Sequence, residues 1–563
     1  MKIYKHPRTS NIWIVSSIIL LLAITAATSC RSRKARSASA THKMIAAADP
    51  KFDENDAADA LADIFEPRSN DSIWAKKKIF DVAQVMQKAY KDSEYYPIWL
   101  TENGDTSYIV RLFNELADMQ NDGINTERYR LKDLQAMLNK YRAAKEVSVA
   151  DVIALDTACT HSYLLASRDL LLGLVIPKQA DSLWFHVNDS AWAPYGLLAA
   201  MGKGEADYPS LDSFRSHLPT YQMLRDVQKK YTSLAADSNY IKAKAAMITG
   251  ANTGDSILSI VLNAELPWQP ESSDSLTGTS SLLKNYQYYL GLKQTGKLDS
   301  TTRFYLANAI DSIRARAALN QERIRWMPQK IENTYLLVNV PLMELFLRVN
   351  GENAMHMEVV VGKSIRQTPS LNAYMANVVI NPPWGVPPTI MKKDVLPGLL
   401  KNGAAYLNKK GLKVYDFKGN QVSPSVVTAS NYKRYVFRQA PGDDNALGYV
   451  KFNLPNKWDI YLHDTPHRED FGKKDRAKSS GCIRVQQPKE MAEFILTELN
   501  GKRYPIERID SVITTKKTRY EVLNNKIPVH IVYLTAFEDS KNARIHFIPD
   551  IYKRDRKLQA LLN

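Results

Sequence analysis

The chain is short of the residues that build disulfide frameworks and metal centres. Three cysteines, Cys30, Cys159 and Cys482, are spread over 563 residues, without the repeated spacing that makes a disulfide framework. Ten histidines occur, yet none stands with Cys, Asp or Glu at metal-ligand spacing, and a lone histidine such as His161 is more often structural than a ligand. No glycine-rich nucleotide loop is present. Neither a cofactor nor a metal is expected. Acidic residues are outnumbered: 75 Lys and Arg against 59 Asp and Glu leave a net charge of +16. That balance suits nucleic acid, an anionic membrane surface or an acidic polymer as partner. Apolar residues make up 45% and charged ones 24%, ordinary for folded protein. The length predicts two to four domains.

The N-terminus reads as an export signal, which excludes nucleic acid as the partner. Lys2, Lys5 and Arg8 precede an apolar run over 12–27, and Ala26, Ala27, Thr28 and Ser29 lead into Cys30. Small residues directly before a cysteine resemble a lipoprotein signal in which Cys30 becomes the lipid-bearing N-terminus, although Ala27 stands where leucine is usual. An uncleaved membrane anchor is the alternative. Against it, Arg31, Arg33, Lys34 and Arg36 follow at once, a flank that resists export. Residues 31–50 are basic and rich in Ser and Ala, a tether.

From about 75 to 265 the apolar spacing is helical, as over 79–90, 108–120 and 151–172. Cys159 lies in the last of these and is expected to be packed and inert. Residues 269–280 are rich in Ser, Gly and Thr and read as a linker. Leu282, Leu283, Tyr286 and Leu290 then follow at helical spacing. A second helix, capped by Asp299 or Ser300, is expected to run through Phe304 and Ile310. From Thr334 the pattern turns to strands, over 335–340, 345–349, 355–361, 377–380, 449–452 and 459–462, with Asn350-Gly351 a two-residue hairpin signal. A Pro-, Gly- and Lys-rich excursion over 382–441 interrupts them; one so long is commonly a lid. The fold class is multidomain α+β, with a helical N-terminal part and a mostly β C-terminal one.

One stretch gathers chemistry: Tyr461-Leu-His463-Asp464-Thr-Pro-His467, then Ser479-Ser480-Gly481-Cys482-Ile-Arg484-Val485. Cys482 falls in a polar turn ahead of a helix that begins at Gln487-Pro488 and stops at Asn500-Gly501. A thiol before a helix gains from nearby backbone N–H groups and from Arg484, and His463 or His467 stands ready as base. The residues alone leave two readings open, a buried inert thiol and a Cys–His nucleophile.

These two motifs resemble the active-site signature of the L,D-transpeptidases, the YkuD-type catalytic domain. Arg323-Ile-Arg-Trp326-Met-Pro328, Asn381-Pro-Pro-Trp384-Gly-Val-Pro-Pro388, Arg438-Gln-Ala-Pro-Gly442 and Asn445-Ala-Leu-Gly448-Tyr-Val-Lys-Phe452 extend the resemblance to the large subtype, which carries scaffold and peptidoglycan-binding domains. Tyr96-Pro-Ile-Trp-Leu-Thr-Glu-Asn-Gly104 and Asp122-Gly-Ile-Asn-Thr-Glu-Arg-Tyr129 are similar to its scaffold. The broader family usually has His where this chain has Ser480.

The resemblance implies a scaffold over 51–268 that resumes at 313–330, and a small peptidoglycan-binding module over 276–312. It implies a catalytic domain over 331–556 whose insertion, about 386–446, caps the substrate. It further implies acyl transfer by Cys482 with His463 as base and His467 as bystander. A tetrapeptide stem would be the donor, and the side-chain amine of a neighbouring stem's diamino acid the acceptor, giving 3→3 cross-links. The backbone N–H groups of Gly481 and Cys482 would hold the oxyanion, and a carbonyl near Asp464 would orient His463. Arg484 is expected on a substrate carboxylate, or else in a structural pair. Ser479, Ser480, Tyr461, Asn381 and Trp384 are expected to line the site, core packing being the alternative for the two aromatics. Water as acceptor, giving an L,D-carboxypeptidase, and a non-enzymatic anchoring lipoprotein are the competing functions. A papain-like peptidase lacks its local signature here. The expected setting is periplasmic and membrane-anchored, as a monomer whose partner is peptidoglycan.

Overall fold

The computed structural model describes residues 50–66, 81–186, 188, 191–249, 255–267, 278–539 and 544–563. The export signal with Cys30, all but the last residue of the tether and most of the linker lie outside the described residues. The described residues form two compact units, the first drawn from within 1–174, 188–242 and 308–330, the second from within 175–187, 243–307 and 331–563.

The first unit is helical. Its axis is the 24-residue helix Val149–Leu172, capped by the Ser148 hydroxyl, which accepts from the Asp151 N–H. Leu155, Cys159, Tyr163, Leu164 and Leu170 are all buried along it, and a helix apolar on most sides has to be enclosed by others. Helices Glu54–Phe65, Val82–Asp92, Ser107–Asp118 and Leu131–Ala143 surround it. Val82–Asp92 starts on a capping box between Asp81 and Gln84. Asp156 ties the 96–104 stretch to the axis: it accepts from the Tyr90 hydroxyl at 2.6 Å and from the N–H groups of Ile98 and Trp99 at 3.1 and 2.7 Å. Burial pushes its carboxyl up to about 6, and the same burial pushes the Cys159 thiol well up. That thiol therefore stays protonated at neutral pH.

The described residues of the second unit carry fifteen strands. They are β1 (Tyr335–Asn339), β2 (Glu344–Val349), β3 (Glu352–Gly362), β4 (Leu371–Ile380), β5 (Trp384–Gly385), β6 (Leu412–Tyr415), β7 (Gln421–Val422) and β8 (Val436–Gln439). There follow β9 (Val450–Asn453), β10 (Leu462–His463), β11 (Ala477–Ser479), β12 (Ile483–Val485), β13 (Arg519–Val532), β14 (Ala536–Glu538) and β15 (Ile545–Phe547). Nine form one sheet in the order β11-β3-β12-β10-β9-β4-β13-β1-β2, and β2 pairs with β3 as well, returning the sheet on itself. Asn350 and Gly351 both take positive φ, +53° and +87°, the primed turn that a two-residue hairpin requires.

The 382–441 excursion is not an open loop. It holds the helix Leu396–Lys409 and the sheet β5-β8-β6-β7 around its own core of Val395, Leu399, Leu407, Val414 and Phe437. Alternation explains it: Leu412 and Val414 are buried while Lys413 faces water. Residues 279–307 form helices Thr279–Tyr289 and Ser300–Ala307, and Asp299 caps the second by accepting from the Thr302 N–H at 2.9 Å. That helix ends at Ala307 instead of running through Ile310, and Ala309–Arg325 begins a new one. Tyr288 stacks on His546 with ring centres 5.2 Å apart, fixing this pair of helices to the β14–β15 hairpin.

Candidate active site

Three neighbouring strands place the site. β10 pairs in parallel with β12, Leu462 beside Ile483 and His463 beside Arg484, and antiparallel with β9, His463 beside Lys451. Side chains alternate across a sheet. Leu462, Ile483 and Phe452 are buried on the core side, which puts Lys451, Tyr461, His463, Cys482 and Arg484 together on the opposite face. The thiol sits at the head of β12, and the helix Pro488–Thr497 begins only beyond that strand. The expected help from a helix N-terminus is therefore absent: five residues, three of them in β12, separate Cys482 from it.

Cys482 is half-buried, and its thiol donates to the Asp459 carbonyl at 3.5 Å. Asp459 itself is held at φ +54°, strain of a kind that gathers at functional sites. Burial pushes the thiol up, opposed by hydrogen bonding from Tyr461 and by the charge of Lys451. His463 is buried, and its Nδ1–H donates to the Asp464 carbonyl at 2.5 Å. That bond leaves Nε2 as the free base. Burial, then Arg484 and Lys451, push the imidazole down to about 3. At neutral pH both partners rest uncharged, a thiol and an imidazole. His467 is exposed, 3.6 Å from Glu469.

The other expected residues divide. The Tyr461 hydroxyl interacts with the Cys482 sulfur and with Trp384, and both aromatics line a cleft of about 290 Å³ together with Lys451, Asn453 and Asp459. Ser479 is buried; its hydroxyl donates to the Cys482 carbonyl at 2.6 Å and accepts from the Gly481 N–H at 3.1 Å. The Gly481 N–H is thus already taken. Among the described residues no acceptor takes the Cys482 N–H, which leaves it as the donor for an oxyanion. Ser480 is exposed and its hydroxyl accepts from Arg366 at 2.9 Å. Arg484 is bound to Asp470 at 3.2 Å, and the same carboxylate takes Lys473 and Lys478. Asn381 does not line the site. Its carboxamide donates to the carbonyls of Val512, Ile513 and Lys517 at 2.9 to 3.3 Å, so it holds the end of helix Ile506–Thr514 to β4.

Sequence reasoning passed over Lys451, Asp459 and Arg366. The signal for Lys451 was its place in Val450-Lys-Phe452, where alternation sends a lysine to the face of Tyr461 and His463. No signal near the motif gave Thr368, whose hydroxyl donates to the Gly481 carbonyl at 2.8 Å across 113 residues. Among the described residues no cluster of His, Cys, Asp and Glu is suited to a metal ion, and no helix is long and apolar enough to cross a membrane.

Comparison with known proteins places the domains. Residues 333–522 match the L,D-transpeptidase catalytic domain of the YkuD type, and residues 84–227 match the scaffold domain. A Haemophilus influenzae protein whose name provisionally assigns it to the L,D-transpeptidases is 34% identical over 463 residues, 77% of this chain and 89% of that one. Among solved structures, the Ldtfm–avibactam carbamoyl enzyme and a mutant Enterococcus faecium L,D-transpeptidase share 13% identity with TM-scores of 0.18. They cover 37% of this chain and 51% and 52% of their own, a likeness that carries no argument. The catalytic-domain match, the scaffold match and the relative aligned through most of both chains place this chain in the L,D-transpeptidase family.

Proposed function

We propose that the chain is a peptidoglycan L,D-transpeptidase that makes 3→3 cross-links. Cys482 attacks the amide between the third and fourth residues of a donor tetrapeptide stem. His463 Nε2 takes the thiol proton and delivers it to the amine of the departing D-residue, leaving a thioester. The side-chain amine of an acceptor stem's diamino acid then attacks the thioester. His463 takes the amine proton and returns it to the sulfur. The Cys482 N–H stabilises each tetrahedral oxyanion. In the resting arrangement the thiol proton points at Asp459, so the Cys482 side chain turns before it meets the base.

The observation that carries the reading is the shared sheet face of Cys482, Tyr461 and His463, with the imidazole held neutral and its Nδ1–H committed to Asp464. On this reading the 386–446 insertion caps the donor, the 276–312 helices bind glycan strands, and 51–268 with 313–330 is scaffold. Lipid on Cys30 would hold the enzyme on the periplasmic side of a membrane.

The test is incubation of the purified protein with disaccharide-tetrapeptides and mass analysis of the muropeptides. Dimers joined 3→3 are expected from the wild type and not from Cys482→Ala or His463→Ala, while His467→Ala keeps at least about a tenth of the rate. Tripeptides without dimers would replace the proposal with an L,D-carboxypeptidase. A carbapenem should add one adduct to the wild type and none to Cys482→Ala.

A further inference from the structure

Lys451 is a cation in the interior of a sheet. It stands on β9 between Val379 of β4 and His463 of β10, with its ammonium 4.1 Å above the Tyr461 ring. It lines the cleft shared by Trp384, Tyr461 and Asp459. Five cations around the nucleophile are engaged by carboxylates: Arg484, Lys473 and Lys478 by Asp470, Arg366 by Asp394 and Arg468 by Asp464. Among the described residues Lys451 makes no ion pair. Partial burial penalises its charge, pushing the ammonium below its ordinary range against the pull of Cys482 and Asp459. A half-buried charge without a counter-ion is costly unless something binds there.

We propose that Lys451 binds a carboxylate of the stem peptide, so that the Trp384–Tyr461–Asp459 cleft is the seat of the donor. The inference rests on the proposed substrate class and adds the group that recognises it. Arg484, the residue the motif suggested for a carboxylate, is held by Asp470. Lys451 is free to take one. A stem offers two carboxylates, at its terminal D-residue and on its diamino-acid side chain. Either would be anchored within reach of the sulfur, and the anchored group lies beside the residue being cut.

The test uses the full chain carrying Cys482→Ala, which separates binding from turnover. Three tetrapeptides are titrated: one with both carboxylates free, one amidated at the terminus, one amidated on the diamino acid. Replacement Lys451→Met should weaken binding of the free peptide by roughly tenfold or more, down to the level of one of the two amides, and should leave that amide's affinity unchanged. The amide so identified tells which carboxylate is bound. Lys451→Arg should keep most of the affinity, which a merely structural lysine would not require. The proposal is overturned if Lys451→Met binds all three peptides as the parent does or weakens all three equally, or if the parent binds none. Turnover with charge-independent affinity would sink Lys451 alone; charge-dependent binding without 3→3 products would sink the cross-linking function alone.

Discussion

Ser479 closes a ring around the nucleophile: its hydroxyl donates to the Cys482 carbonyl at 2.6 Å while accepting from the Gly481 N–H. The loop that presents the sulfur is thereby fixed by one buried oxygen. Ser479→Ala strands a half-buried carbonyl and a buried N–H, the latter at a cost of about 1–3 kcal/mol if water does not replace the hydroxyl. The expected outcome is a lower melting temperature and a kcat reduced by roughly tenfold to a hundredfold, with Ser479→Thr keeping most of both. Turnover by Ser479→Ala equal to wild type would show that the ring does not position Cys482.

Arg366 joins the capping insertion to the same loop. Its guanidinium holds both oxygens of Asp394, at 2.5 and 2.8 Å, and donates to Ser480 at 2.9 Å. Arg366 keeps the Asp394 carboxyl below the usual carboxylate range, so the link persists at neutral pH. Asp394 is 41% exposed, and an ion pair that open contributes at most about 1 kcal/mol. Asp394→Asn is therefore expected to move the melting temperature little, yet to speed trypsin cleavage within 386–446 several-fold. Equal cleavage rates would mean that the insertion's own core, not this pair, keeps it closed.

Much of this was legible in the sequence, and what was not has identifiable physical causes. Short apolar runs rich in β-branched residues announced β1 to β3 and the end of β4, and Asn350-Gly351 announced the β2–β3 hairpin, because both signals are local. Cys482 was read into a turn before a helix because β12 is only Ile483–Val485, too short to show a period. Asn381 was read as lining the site from its neighbours in the motif. Its partners at Val512, Ile513 and Lys517 lie more than 130 residues away, and no local pattern reports such contacts. Arg484 and Lys451 looked alike as charges, and only the ion pair to Asp470 tells the occupied cation from the open one.

Among the described residues of the second unit four buried histidines are pushed down, burial being the main cause in each: His186 and His463 to about 3, His530 to about 4, and His546 in the same direction. In the unfolded chain each titrates near 6.5. Between those values the unfolded state binds a proton that the folded state does not, so stability falls as pH falls, by about 1.4 kcal/mol per pH unit for each histidine. In the first unit Asp156, raised to about 6, works in the opposite direction between about 4 and 6. His530→Phe should therefore flatten the acid side of the second unit's stability curve by about 1.4 kcal/mol per pH unit, read as denaturant midpoint between pH 6.5 and 4.5. An unchanged slope would mean that His530 is protonated in the folded protein.

Gly448 is where backbone conformation and catalysis meet. Its φ is +57°, and a Cβ placed there would lie 2.4 Å from both Cγ and Oδ2 of Asp464. Asp464 cannot yield freely: its carboxylate accepts from the Tyr449 N–H at 2.9 Å and binds Arg468 at 3.1 Å, and its carbonyl orients His463. Gly411 supplies the control, with φ +58° and open space around a Cβ. Gly411→Ala carries only the conformational penalty of the left-handed region, about 1–2 kcal/mol. Gly448→Ala carries that penalty and the collision with Asp464, so it should destabilise further and lower kcat at least about tenfold by tilting the imidazole. A kcat for Gly448→Ala matching that of Gly411→Ala would mean that His463 keeps its orientation without Asp464 in place.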